Sequence, residues 1–89
     1  MSTLRVLELS DGNCSLELGE ISLAVVKTRI EKLWGVMETG SYLASQSVRF
    51  GDCDFLFQKE WDDPCLISLS TEGAAHLRRL AQSLSGILP

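Results

Sequence analysis

The sequence predicts an α+β domain, a two-layer sandwich in which two helices cover one face of a largely antiparallel sheet, with the element order ββαβββα. Two observations support this prediction. Two dipeptides typical of tight hairpin turns lie between apolar segments, and in two longer stretches apolar residues recur every three to four positions. The chain has 89 residues, so we expect residues 1–89 to form a single domain.

The first predicted hairpin spans residues 4–18 and turns at Asp11-Gly12. Asp-Gly is typical of a type I′ turn, because both central residues of that turn have positive φ. A two-residue turn pairs Ser10 with Asn13, and this register fixes which side chains share a face. The core-facing residues are then Leu7, Leu9, Cys14, Leu16 and Leu18.

A helix is predicted from Ser22 to about Met37, with Ser22 as its N-cap and Gly40 at its end. Residues 41–46 are expected to form a loop. The apolar positions of this helix follow the spacing of a single buried stripe. They are Leu23, Val26, Ile30, Leu33, Trp34 and Met37.

The second hairpin is predicted to span residues 48–58 and to turn at Gly51-Asp52. A two-residue turn places Arg49 opposite Asp54, as an exposed ion pair across the strands. The same register predicts the core-facing side chains of this hairpin. They are Val48, Phe50, Cys53, Phe55 and Phe57.

Residues 59–64 are predicted to form a connector, residues 65–69 a fifth short strand, and Ser70 the cap of a second helix. The apolar stripe of that helix is Ala74, Leu77, Leu80, Ala81, Leu84 and Leu88.

The sheet face turned away from the helices is predicted to carry Leu4, Val6, Leu56 and Leu66 among polar residues. A chain of this length has no third layer to cover that face. The four apolar residues are therefore either scattered surface residues or the centre of an interface, and we favour a two-fold homodimer.

The net charge of −4 is concentrated between Asp52 and Asp63, where five of the twelve acidic residues lie beside a single lysine. Local charge asymmetry of this kind favours a partner with a basic surface. Trp61 lies within the segment, either as a core residue folded over the sheet edge or as an exposed anchor. The predicted partner-binding residues are Asp52, Asp54, Glu60, Trp61, Asp62 and Asp63.

Composition argues against several other partners. Eight basic residues against twelve acidic ones do not suggest the clustered basic surface that nucleic acid requires, so no nucleic acid is expected. No apolar run approaches the roughly 20 residues of a membrane span, and the first residues do not resemble a secretory signal. We therefore expect a cytoplasmic protein that does not bind membranes. The three widely spaced cysteines fit reduced, buried thiols.

Few residues of this chain match the residue sets of known catalytic sites. His76 is the single histidine, so a Cys-His or Ser-His-Asp site would have to use it. Three cysteines and His76 match a zinc site by residue type but lack the closely spaced pairs typical of structural zinc. We expect no cofactor and no metal.

These observations favour a non-enzymatic protein-binding module, such as an inhibitor, an immunity-type protein or a regulatory protein, that uses its acidic segment against a basic partner. One alternative is a structural or assembly subunit that acts as a homodimer through its uncovered sheet face. Another alternative is a small thiol- or metal-dependent enzyme built around Cys53, Cys65 and His76.

Overall fold

A computed structural model describes residues 4–19, 21–42, 45–60 and 63–87. In these residues six strands form one antiparallel sheet, and both helices contribute to the core on one of its faces, so the predicted α+β sandwich is confirmed. The strand order across the sheet is β1-β2-β6-β5-β4-β3. The elements are β1 Arg5–Glu8, β2 Cys14–Glu17, α1 Leu23–Trp34, β3 Glu38–Tyr42, β4 Ser45–Phe50, β5 Cys53–Glu60, β6 Asp63–Ser68 and α2 Thr71–Ile87.

The first hairpin forms, but the predicted register is wrong by one residue. Asp11 and Gly12 do have positive φ, as the Asp-Gly signal requires. They lie in a short 3-10 turn within a longer connection, however, and Glu8 rather than Leu9 pairs with Cys14. A slip of one residue exchanges the two faces of a strand. The predicted core positions Leu7 and Leu9 are consequently exposed.

Helix α1 begins as predicted, because the Ser22 hydroxyl accepts a hydrogen bond from the backbone N–H of Ala24 at 3.1 Å. It ends earlier than predicted, at Trp34. Gly35 has φ of +97°, and its N–H donates the last helical hydrogen bond to the carbonyl of Glu31 at 2.8 Å. The predicted loop is also wrong in part, because residues 38–42 form strand β3, which pairs with β4.

The second hairpin is confirmed in position and register. Phe50 pairs with Cys53, and Arg49 pairs with Asp54. Gly51 and Asp52 both have positive φ, at +57° and +61°, which matches a two-residue type I′ turn. Gly51 in this turn contacts His76 of helix α2 through its carbonyl oxygen.

The predicted connector between β5 and β6 is mostly strand. Strand β5 continues to Glu60, and β6 begins at Asp63, so the two form a hairpin with Glu60 opposite Asp63. Backbone pairing with β6 extends the strand beyond Gln58, where the alternation of apolar residues in the sequence ends.

Helix α2 is capped as predicted, because the Ser70 hydroxyl accepts from the N–H of Gly73 at 3.0 Å. Its apolar stripe is fully buried at Ala74, Leu77, Leu80 and Leu84, whereas Leu88 lies outside the described residues. Neither helix combines the length and the hydropathy that crossing a membrane would need. The centre of the core is aromatic, with the rings of Phe50 and Phe55 stacked 4.2 Å apart.

Candidate functional site

Strand β5 divides the predicted acidic surface into two groups. Asp52 lies in the turn before β5, and Glu60 lies at the opposite end of the strand. Eight residues of extended chain at about 3.3 Å each separate these ends by roughly 25 Å. Trp61 and Asp62 lie outside the described residues. Asp52 and Glu60, two of the six predicted partner-binding residues, therefore lie at opposite ends of β5.

At the first end, Asp54 already has a partner. Its carboxylate accepts a hydrogen bond from Arg49 Nη1 at 2.9 Å, and both side chains are exposed. The same hydrogen bond raises the pKa of Arg49. Much of the charge that Asp54 could offer to a basic partner is thus neutralised within the chain.

At the other end, the β5–β6 register sets Glu60 directly opposite Asp63. Asp62 adds a further acid between them in the sequence. The sequence therefore has three acids within four positions here, and we call this segment the acidic tip (residues 60–63).

We call the sheet face turned away from both helices the open face. The prediction for this face is wrong for three of its four apolar residues, which lie elsewhere. Leu66 is 3% exposed and pairs with Leu16 and Phe57, so it lies in the core. Leu4 and Val6 pack against the core as well, because the register of β1 is shifted by one residue. Leu56 alone of the four alternates with core residues and lies on the open face.

The open face nevertheless carries an apolar row. The pairing registers align six residues across all six strands. Leu7, Leu56 and Ile67 supply its large apolar side chains, and Leu7 is 37% exposed. Leu69, the residue that follows β6, is also apolar and is 52% exposed. In strand order the row is Leu7, Ser15, Ile67, Leu56, Ser47 and Gly40.

Two ion pairs flank this row. On one side Arg5 Nε donates to Glu17 Oε1 at 2.8 Å, across β1 and β2. On the other side lies the Arg49–Asp54 pair across β4 and β5. Each pair is internally compensated, and Glu38, opposite Arg49 on the same face, adds one negative charge.

The predicted cysteine site is only partly assembled. Cys53 faces the core at the start of β5, whereas Cys65 lies on the open face, opposite Gln58. The sheet therefore separates these two thiols. Cys14 is buried under α2, and its thiol donates to the carbonyl of Ala74 at 3.5 Å. Burial raises the pKa of Cys14, so it remains a neutral thiol at pH 7.

His76 and Cys53 do come together, with Glu72 as a third member. One ligand atom from each residue, a sulfur, a carboxylate oxygen and a ring nitrogen, lies within 4.8 Å of the other two. His76 Nε2 is 3.0 Å from the carbonyl oxygen of Gly51. The imidazole also stacks on Trp34, with ring centroids 5.0 Å apart. The hydrogen bond and the stacking together restrict the orientation of the His76 ring.

The electrostatics of this cluster disfavour a nucleophilic cysteine. Burial raises the pKa of Cys53, and the negative charge of Glu72 raises it further, although a hydrogen bond with Ser70 opposes the change. A reactive thiol needs a lowered pKa, because the thiolate is the nucleophile. In this environment Cys53 is a protonated thiol at neutral pH.

A cavity of about 250 Å³ lies between α1 and the sheet. Val26, Ile30 and Val48 give it a largely apolar lining, and Lys27 is the one charged residue among the described residues around it. The cavity could hold the apolar part of a small ligand, but its lining offers no pair of acidic and basic groups for catalysis.

Sequence reasoning missed Glu72. Glu72 and His76 are four residues apart, a spacing that puts both on the same side of a helix, and this signal is present in the sequence. Their proximity to Cys53 depends on how α2 packs against the β4–β5 turn, and no local pattern reports that packing.

Comparison of the chain with protein families, with curated proteins and with solved structures finds no match.

Proposed function

We propose that this chain is a non-enzymatic protein-binding module that pairs with a second copy of itself through the open face of its sheet. The observation that carries the proposal is the apolar row of Leu7, Ile67 and Leu56 on a face that no described element covers. Exposed apolar surface of this extent favours association. A homodimer with two-fold symmetry is the simplest arrangement, because the same face serves both partners.

The size of the face supports a modest interface. Six strands spaced about 4.8 Å apart, with paired lengths of about 17 Å, give roughly 500 Å² on each chain. The total of roughly 1,000 Å² is near the lower limit for specific association. We therefore expect a dissociation constant in the micromolar range, with monomer and dimer both populated at accessible concentrations.

The charge distribution is compatible with self-association. Two copies of a chain with net charge −4 repel each other at long range. The Arg5–Glu17 and Arg49–Asp54 pairs, however, are internally compensated, and Glu38 opposite Arg49 adds a single negative charge to this part of the open face. Added salt should therefore strengthen the dimer slightly, because it screens the overall repulsion while the apolar contact remains.

Sedimentation velocity over a wide concentration range tests the proposal. Leu56→Ser removes an apolar side chain from each copy, at about 1 kcal/mol per copy, so the dissociation constant should rise about 30-fold. Val25→Ser is the matched control, because Val25 is an exposed apolar residue of α1. A chain that is monomeric at all concentrations, or a dimer indifferent to Leu56→Ser, would overturn the proposal. Circular dichroism establishes that both variants remain folded.

A second candidate function is recognition of a basic protein surface by the acidic tip. The three acids at positions 60, 62 and 63 of the sequence support it, because concentrated negative charge favours a cationic partner. The test is capture from native lysate with Glu60→Gln/Asp63→Asn, with Asp11→Asn/Glu31→Gln as a control that removes the same charge elsewhere. A partner that binds both variants equally, or binding that salt does not weaken, would contradict this candidate.

For either candidate we propose a cytoplasmic setting. Cys14 and Cys53 are buried and form no disulfide bond. Reducing compartments favour thiols in this state.

A further inference from the structure

Helix α2 and strand β5 together bring three different metal-binding groups to one place. Glu72 and His76 lie one helical turn apart on α2, and Cys53 is the first residue of β5. The three candidate ligand atoms lie within 4.8 Å of one another. Cys53 is 5% exposed, whereas Glu72 is exposed, so the cluster has a solvent side from which an ion can approach.

The hydrogen bond to Gly51 fixes the orientation of the imidazole and leaves Nδ1 as the ring nitrogen available to bind a metal. A carbonyl oxygen can only accept, so His76 Nε2 carries the hydrogen of the 3.0 Å contact. In the neutral ring the lone pair is then on Nδ1. Histidines that bind metals are commonly oriented by a hydrogen bond from the other ring nitrogen to a backbone carbonyl. The stacking of His76 on Trp34 restricts rotation of the ring further.

We propose that Cys53, Glu72 and His76 bind a zinc ion, with the fourth tetrahedral position open to water or to a group from a partner. One thiolate, one carboxylate and one neutral imidazole is a ligand set that the borderline-soft zinc ion accepts. Three protein ligands with one open position are typical of zinc sites that bind a further group.

Charge and distance both fit the ion. A thiolate and a carboxylate together balance the two positive charges of zinc, so the occupied site is neutral and suits its partly buried position. Zinc bonds of about 2.0 to 2.3 Å require ligand atoms about 3.3 to 3.6 Å apart. The three groups, which lie within 4.8 Å of one another, therefore need to close by at most about 1.5 Å. On binding, the Cys53 S–H bond breaks, a Zn–S bond forms and the proton passes to solvent.

Bound zinc would join two parts of the fold. Cys53 follows the β4–β5 turn directly, and Glu72 lies in the first turn of α2. A shared ion therefore connects these elements and stabilises the folded state. The melting temperature should rise by about 10 °C or more when free zinc is about 100 times its dissociation constant.

Cobalt titration of the untagged, reduced chain tests the site, because Co²⁺ reports a thiolate ligand by its near-ultraviolet charge-transfer absorption. We expect one Co²⁺ per chain, charge-transfer absorption that Cys53→Ser abolishes, and displacement of cobalt by Zn²⁺. Glu72→Gln should weaken binding roughly tenfold or more. Glu72 is exposed, so this variant remains folded and testable even if Cys53→Ser does not.

Cys65→Ser and Glu31→Gln are the controls, because they remove a thiol and a carboxylate outside the cluster, and cobalt binding should be unchanged in both. Three results would each overturn the proposal. They are no saturable binding at millimolar Co²⁺, saturable binding without charge-transfer absorption, and equal affinity in Glu72→Gln and the parent chain. All readouts are independent of the dimer, so failure of the zinc site leaves the proposed function untouched.

Discussion

The turn between β4 and β5 has no room for a side chain at Gly51. Its φ is +57°, and a Cβ atom added there would lie 2.5 Å from His76 Nε2 and 2.6 Å from Trp34 Cδ1. Gly51→Ala therefore has to strain the backbone and displace two packed rings at once. The displacement of His76 also breaks its hydrogen bond to the Gly51 carbonyl.

These costs can be estimated separately. The left-handed backbone costs about 1–2 kcal/mol for a residue with a Cβ atom. Overpacking adds about 1–3 kcal/mol, and the lost hydrogen bond about 0.5–1.5 kcal/mol. We therefore expect Gly51→Ala to lower the free energy of unfolding by about 3–6 kcal/mol, a large part of the roughly 4–13 kcal/mol typical of a domain of this length.

Urea denaturation followed by circular dichroism measures this change. Gly35→Ala is the control for the backbone contribution, because Gly35 has φ of +97° but no atom within 4 Å of the added Cβ. It should cost only about 1–3 kcal/mol. The double variant Gly51→Ala/His76→Ala removes one of the obstructing rings, so its cost should be smaller than the sum of the single costs by about 1 kcal/mol or more. Additive costs would refute the steric explanation.

Two further predictions concern helix caps and thiols. Ser70→Ala removes the hydroxyl that caps α2 at Gly73, and Ser22→Ala removes the hydroxyl that caps α1 at Ala24. Each substitution should lower the free energy of unfolding by about 1 kcal/mol and the melting temperature by about 4–8 °C. Thermal denaturation measures both changes, and an unchanged melting temperature in either variant would contradict the cap at that helix. Burial raises the pKa of Cys14, so as pH rises the thiol loses its proton in the unfolded chain before it does so in the folded chain. The contribution of Cys14 to the free energy of unfolding should therefore be constant at neutral pH and fall above about pH 8.5, by up to about 1.4 kcal/mol per pH unit. Denaturation at several pH values should show this slope reduced in Cys14→Ala, and an equal slope in both chains would exclude the thiol as its origin.

The two hairpins show which features local sequence can specify. In the second hairpin, Gly51-Asp52 form a two-residue turn, and the register follows directly. In the first, Asp11-Gly12 adopt the expected positive φ values, yet the hydrogen bond from the Leu9 N–H to a carbonyl four residues later closes a wider loop. Positive φ is a property of the residues themselves, whereas loop width depends on how the strands pack against the rest of the fold.

The boundary between α1 and β3 illustrates a different limit. Helical periodicity continues to Met37, three residues beyond the end of the helix at Trp34. Met37 packs against the core although it is not helical, because the chain returns toward the sheet after Gly35. Periodicity identifies buried positions but does not distinguish a helix from the segment that follows it.

The candidate site could be predicted only in part. His76 stands out as the single histidine, and Glu72 lies at helical spacing from it. Cys53 joins them through tertiary packing, because 18 residues separate it from Glu72 in the sequence, including most of β5, all of β6 and the cap of α2. For the acidic segment the sequence shows the charge, but only the length of β5 shows that Asp52 and Glu60 lie at opposite ends of a strand.

The position of β6 between β2 and β5 has a consequence for the order of folding. Strands β3 to β6 follow one another as simple hairpins, so their pairings close only short loops. The pairing of β2 with β6 instead joins distant segments, as in the hydrogen bond from the Cys14 N–H to the Ser68 hydroxyl, 54 residues away. Closing a long loop costs more chain entropy and slows folding. We therefore expect the N-terminal hairpin to dock late and its amides to exchange with solvent through partial openings that leave the four-stranded meander of β3 to β6 intact.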